Sequence, residues 1–146
     1  MHVHQAASIN FSTIPEEVKK QIKLLRFRQE KTIAAIILKI NKDADQVEIE
    51  TELEDCTIED IQESLPDHLP RYIIISYRYH HSDNRISFPF FFVYFAPRGG
   101  NTALQVRYAG TTTKLQQELG MTKFLKIEET EGLTSEVLDA KVEFYR

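Results

Sequence analysis

Hydrophobic and polar positions along the chain alternate between a helical and a strand-like period, and the switches mark the elements. The first helical pattern opens at Thr13-Ile14-Pro15-Glu16. Thr13 is placed to cap it, Glu16 can reach back, and Pro15 suits a first turn. Val18, Ile22 and Leu25 then share one face, and the pattern fades near Arg28. Ile33 to Ile40 is short, apolar and rich in branched residues, which predicts a buried strand. Asn41 to Asp45 reads as a turn. Gln46 to Glu50 alternates polar and apolar, as the half-exposed partner of a hairpin should. Thr57-Ile58-Glu59-Asp60 is a second capping signal, opening a short helix with Ile58, Ile61 and Leu65 inward until Pro66 stops it.

Pro70 introduces a strand from Arg71 to Tyr79, a polar tip follows at His80 to Asn84, and the chain returns from Ile86 to Phe95. Pro89 has no amide hydrogen for a sheet ladder, so a bulge or an unpaired edge is expected there. Pro97-Arg98-Gly99-Gly100 ends that strand. Asn101 or Thr102 caps a long helix to about Leu119, and Gly120 is a plausible stop. Lys123 to Ile127 is a further strand, and Thr134 caps a last helix to about Tyr145. The order is helix, two strands, helix, two strands, helix, strand, helix. It predicts an α+β chain with a central mixed sheet sandwiched by helices. No repeat, low-complexity tract or linker divides it. The organisation expected is a loose arm over residues 1–12 and one domain over 13–146.

The long helix carries the least ordinary pattern. On a 100° wheel Leu104, Tyr108, Leu115 and Leu119 cluster and should face the sheet. The opposite stripe is Ala103, Val106, Gly110, Thr113 and Gln117, small and nearly uncharged, with Arg107 and Lys114 along one side. Exposed helix faces usually carry Glu, Lys and Arg. Gly110-Thr111-Thr112-Thr113 is the reverse, each residue costing from some tenths to about 1 kcal/mol against alanine. Only Thr111 lies near the predicted buried face, so the core need not explain the run. A low-charge stripe of small residues lets a helix sit deep in an apolar groove of another protein. A poorly optimised surface helix would show the same residues.

Composition narrows the function classes. The chain has 146 residues, 42% hydrophobic and 27% charged, which suits one soluble domain able to bury a core. Its formal net charge of -4 disfavours a general binder of nucleic acid or acidic membranes. Cys56 is the only cysteine, so no intrachain disulfide is possible, in keeping with a reducing compartment. The start lacks a signal-peptide order, and no apolar run approaches the roughly 18 residues of a spanning helix; a soluble cytoplasmic protein is expected. His80, His81 and Asp83 carry metal-ligating atoms, but adjacent strand residues point opposite ways, so a solvated tip is preferred and no metal is expected. Gly99-Gly100 reads as a turn before a cap rather than an anion cradle, and Cys56 beside Thr57 as a structural thiol. No nucleophile–base pairing stands out, so neither an enzyme nor a cofactor is expected.

Several segments, in order and spacing, resemble the glia maturation factor family. They are Leu24-Leu25-Arg26-Phe27-Arg28, Ala34-Ala35-Ile36-Ile37 and Lys39-Ile40. They continue with Leu65-Pro66-Asp67, Pro70-Arg71-Tyr72-Ile73, Ser76-Tyr77, and Asp83 with Arg85-Ile86-Ser87. Beyond these come Tyr108-Ala109-Gly110, Leu115, Leu119, Thr122-Lys123, Ile127 and Leu133-Thr134. The resemblance implies a single actin-depolymerizing-factor homology domain that is not an enzyme. It implies binding to the actin-related protein 2/3 complex at filament branch junctions, inhibition of branched nucleation, and debranching. Weak or no binding to monomeric actin, a monomeric state, and a place in the actin cytoskeleton at cortical patches or the leading edge, with the nucleus open, go with it.

Carried over residue by residue, the long-helix contacts would be Val106, Arg107, Gly110 and Lys114, within the stripe that also holds Ala103, Thr113 and Gln117. The second surface, associated with debranching, would be the tip, with His80, His81, Asp83 and Arg85. Ser8 and Ser12 on the arm are candidate phosphorylation sites, where added negative charge could block docking. Ala103 and Gln105 stand where actin-binding relatives carry basic residues, Val106-Arg107 where glia maturation factors often show Met-Met, and Thr112 where lysine is common. The competing reading is a cofilin-like module that binds and severs actin directly. The loss of two exposed cations, each worth about 0–1 kcal/mol, leans away from it.

Overall fold

The computed structural model describes residues 11–144. Its centre is a five-stranded sheet in the order β2-β1-β3-β6-β7. The strands are β1 (Ala34–Asn41), β2 (Gln46–Leu53), β3 (Arg71–Ser76), β6 (Phe90–Phe95) and β7 (Lys123–Ile127). β1, β2, β3 and β6 pair antiparallel with their neighbours, whereas β7 joins β6 in parallel. A separate ribbon of β4 (Tyr79–His80) and β5 (Ile86–Ser87) forms the tip.

Four helices cover both faces. The residues of β1 and β3 are buried on both sides almost throughout, which is why their sequences read as unbroken apolar runs. On one face Ile36, Leu38, Tyr72, Ile74 and Phe92 meet α1 (Glu16–Arg26) and α3 (Thr102–Leu119). On the other, Ile37, Ile73, Ile75, Phe91 and Val93 meet α2 (Ile58–Glu63) and α4 (Ser135–Phe144). The α+β sandwich expected from the element order is therefore the observed one.

Local signals held where they were self-contained. Thr57 and Asp60 form a complete capping box, with bonds of 3.0 and 2.9 Å. Thr134 Oγ1 accepts from Val137 N at 3.1 Å. Thr13 does not cap α1. Its backbone pairs with the sheet instead, donating to Asp45 O and accepting from Val47 N at 2.9 Å, and Pro15 is the N-cap of α1, which has no side-chain cap bond. The two strands flanking the tip are shorter than their patterns suggested. Pro89 lies in the gap between β5 and β6, where only its carbonyl is used, accepting from Tyr77 N at 3.0 Å. The missing amide separates the tip ribbon from the main sheet.

Between β1 and β2 the register slips at Ile37/Leu38, so that Glu50 has no partner across the ladder. This bulged residue reaches past β1 to Arg71 at the start of β3, where the guanidinium donates through Nε and Nη2 to both carboxylate oxygens at 2.8 and 2.9 Å. Those bonds hold the Glu50 carboxyl below its ordinary value of 4.5. A carboxylate with a depressed folded pKa stabilises above its unfolded pKa and loses that contribution as pH falls through the folded value. Glu50→Gln should therefore lower the urea midpoint at neutral pH, and the gap to the wild type should narrow on acidification below about pH 4.5. A gap that stays constant would remove Glu50 as a source of acid sensitivity.

Candidate functional site

Helix α3 is fixed at both ends by its own sequence. Asn101 accepts from Leu104 N at 2.9 Å, and Gly120 closes the helix in a left-handed conformation at φ 62°. Tyr108 and Leu115 are buried against the sheet, with Leu104 and Leu119 packed at the margin. The opposite stripe faces solvent: Ala103, Thr113 and Gln117 are exposed, Gly110 is half-buried, and Val106 is 51% exposed.

The threonine run has a partly internal explanation that the sequence reading missed. Thr111 is fully buried and Thr112 nearly so, leaving only Thr113 outside. Thr111 Oγ1 donates to Arg107 O and accepts from Ser12 N at 2.9 Å. Thr112 Oγ1 donates to Tyr108 O at 2.8 Å, and the same carbonyl accepts the Tyr72 hydroxyl. Of the three β-branched residues, Thr111 thus links the helix to the arm, and Thr112 turns inward onto its own helix backbone. The exposed stripe that remains is Ala103, Val106, Gly110, Thr113 and Gln117.

The flanking cations are committed to the end of the arm. Arg107 donates to Phe11 O at 3.0 Å and lies 3.6 Å from Asp45 Oδ1. Lys114 Nζ sits 4.4 Å from the centre of the Phe11 ring and 3.9 Å from Glu118. Ser12 is buried, its hydroxyl donating to Asp45 Oδ1 at 2.8 Å. A phosphate on Ser12 would displace this buried bond and face a carboxylate. Ser8 lies outside the described residues. Phe11 and Ser12, placed by sequence in a loose arm, are held to α3 and to the β1–β2 turn.

At the tip, His81 N donates to Arg85 O at 2.8 Å, and Asn84 turns the chain with φ 72°. Arg85 Nε donates to Asp83 Oδ2 at 2.7 Å, and this bond holds the Asp83 carboxyl below its ordinary value. His80 is exposed. His81 instead turns back, its Nε2 2.8 Å from Ser87 Oγ and its ring edge-on to Tyr79 at 4.8 Å. Among the described residues, His80, His81 and Asp83 do not form a metal-ligating cluster, nor does any other group of three or more His, Cys, Asp or Glu. Tyr77 OH donates to Asp139 and Tyr79 OH to Glu143 of α4. The tip is therefore braced from the α4 face of the sheet, whereas the stripe belongs to the α3 face. The Cys56 thiol is buried, and burial pushes it up to about 11, so the nearby helix start does not activate it.

Residues 11–143 match the family model of cofilin/tropomyosin-type actin-binding proteins. The chain is 39% identical over 132 residues to human glia maturation factor beta, covering 90% of this chain and 93% of that protein. The solution structure of glia maturation factor from Caenorhabditis elegans superposes with a TM-score of 0.76 at 36% identity, covering 90% of this chain and 95% of the other. The cofilin crystal structure from Streptomyces griseoflavus gives a TM-score of 0.79 at 18% identity, covering 90% and 98%, a likeness of fold. Among the described residues no helix is long and apolar enough to cross a membrane.

Proposed function

The chain belongs to the cofilin/tropomyosin-type actin-binding family, on its glia maturation factor branch, and from that premise we propose that it binds the actin-related protein 2/3 complex at filament branches, inhibits branched nucleation and promotes debranching. The observation that carries this reading is the α3 stripe. Val106 and its small neighbours stay uncovered while the same helix turns Tyr108, Thr111, Thr112 and Leu115 inward. The stripe inserts into an apolar groove of an actin-related subunit, as a helix in a groove. Phe11, clamped between Arg107 and Lys114, extends that surface with the end of the arm. The two cations then act by shaping the surface as much as by meeting acidic groups on the partner. The protein works in the cytoplasmic actin cytoskeleton.

The tip supplies a second contact, to the first actin of the daughter filament, and competition there frees the branch. Its bracing by α4, across the sheet from the stripe, makes the two surfaces separable. Arg85→Glu should slow debranching several-fold while inhibition of nucleation falls less; equal losses in the two assays would count against two surfaces. The reading as a whole is tested by parallel co-sedimentation with the purified branching complex and with monomeric actin. Preferential retention by the complex is expected. Retention by actin alone, with filament severing, would put the cofilin-like alternative in its place.

A further inference from the structure

The end of the arm is tied to the domain through one residue of the β1–β2 turn. Asn41 Oδ1 accepts from Asp43 N and Ala44 N at 3.0 and 3.1 Å and so shapes the turn, which closes on Asp45 in the left-handed region at φ 54°. Glycine adopts that conformation most readily, and aspartate tolerates it. What the aspartate adds is a carboxylate. Its Oδ1 accepts the Ser12 hydroxyl at 2.8 Å and lies 3.6 Å from Arg107 Nε, while its backbone O accepts from Thr13 N at 3.2 Å.

Three consecutive arm residues are therefore set from one turn position. Thr13 is held by the Asp45 backbone, Ser12 by its carboxylate, and Phe11 O through Arg107, which faces the same carboxylate. Ser12 N donates in addition to Thr111 Oγ1 at 2.9 Å, so the latch spans the arm, the turn and α3. Phe11 is the residue it leaves partly exposed, its ring 4.4 Å from Lys114 Nζ. Ser12 is fully buried, out of reach of any partner while latched. Its bond to Asp45 can therefore influence docking only through where it puts Phe11.

We propose that Asp45 is a positioning residue for docking: through Ser12 and Arg107 it holds Phe11 in place beside the α3 stripe before the partner arrives. The inference rests on the reading of that stripe as the docking element. An anchor already in place in the free chain need not be ordered on binding, and apparent affinity falls in proportion to the fraction of molecules that hold it correctly. Asp45 acts through Phe11 rather than on the partner, so its effect should vanish once the Phe11 ring is gone.

The test uses the full chain. Hydrogen exchange at the Ser12 amide reads the latch in the free protein, and titration against the purified actin-related protein 2/3 complex reads docking. Asp45→Gly keeps the left-handed turn and removes the carboxylate; Ser12→Ala removes the hydroxyl. Each should speed Ser12 exchange about tenfold or more while β3 amides exchange as in the wild type, and each should weaken binding about fivefold to tenfold. Asp45→Asn keeps an acceptor for the Ser12 hydroxyl and should bind within about twofold of the wild type. Phe11→Ala should weaken binding about tenfold or more, and adding Asp45→Gly to it should weaken binding no further. The proposal is overturned if Ser12 exchange is unchanged, or if the Asp45→Gly and Phe11→Ala losses add in full. It is equally overturned if Asp45→Gly weakens binding and Ser12→Ala does not, the mark of a direct contact by Asp45. A wild-type chain that does not bind the complex brings down the docking reading together with this proposal; binding that depends on Val106 but on neither Asp45 nor Ser12 overturns this proposal alone.

Discussion

Val106→Asp is expected to abolish co-sedimentation with the actin-related protein 2/3 complex while leaving the protein folded. Val106 is half-exposed in the free chain, so its carboxylate variant is solvated there and should move the unfolding midpoint little. In the docked state the same carboxylate would lie in an apolar groove without a partner. Removing an ionised group from water without compensation costs several kcal/mol, and about 3 kcal/mol already weakens binding more than a hundredfold. Val106→Ala separates charge from packing, since it deletes only two methyl groups and should cost about tenfold or less. Inhibition of nucleation and debranching should both fail in the Asp variant, because both require docking. A folded Val106→Asp protein that is retained normally by the complex would eliminate α3 as the docking element.

The fold was legible wherever a signal was contained within a few residues. The Thr57–Asp60 box, the Asn101 cap and the Gly120 stop need only local spacing, and each stands in the structure. The apolar runs of β1 and β3 announced central strands because both their faces are covered. What escaped the sequence depended on partners far along the chain. Thr13 matches a cap consensus, yet its backbone pairs across to Gln46 and Val47. Thr112 looked exposed on a helical wheel, and it is buried beside a carbonyl that Tyr72 reaches from 36 positions away. Glu50 gave no hint of its bond to Arg71, because that bond needs the bulge in β2. The exposed stripe could be read from the wheel alone. The clamp on Phe11 could not, since nothing local brings residue 11 to Arg107 and Lys114.

The largest loss of stability should come from Tyr108→Ala, and its comparison with Tyr108→Phe shows how α3 is tied to the sheet. The Tyr108 ring is buried 5.2 Å from that of Tyr72, and its hydroxyl accepts from the backbone Ile40 N at 2.8 Å. Tyr72 packs in turn on Phe92 and Tyr94 at 5.6 and 5.5 Å, so β3, β6 and the helix meet at these rings, and the Ile40 bond ties in β1. Emptying a buried aromatic site costs about 3–5 kcal/mol, and leaving the Ile40 amide unsatisfied adds about 1–3 kcal/mol. A domain of ordinary stability, about 5–15 kcal/mol, would be brought close to unfolding at 25 °C. Tyr108→Phe keeps the ring and removes only the acceptor, so it should lose about 1–3 kcal/mol. Urea titrations of the two variants therefore separate packing from the hydrogen bond. The phenylalanine variant should also retain binding to the branching complex, because the outer stripe is untouched. Similar midpoints for the two variants would mean that the Ile40 bond, rather than the packed ring, anchors the helix.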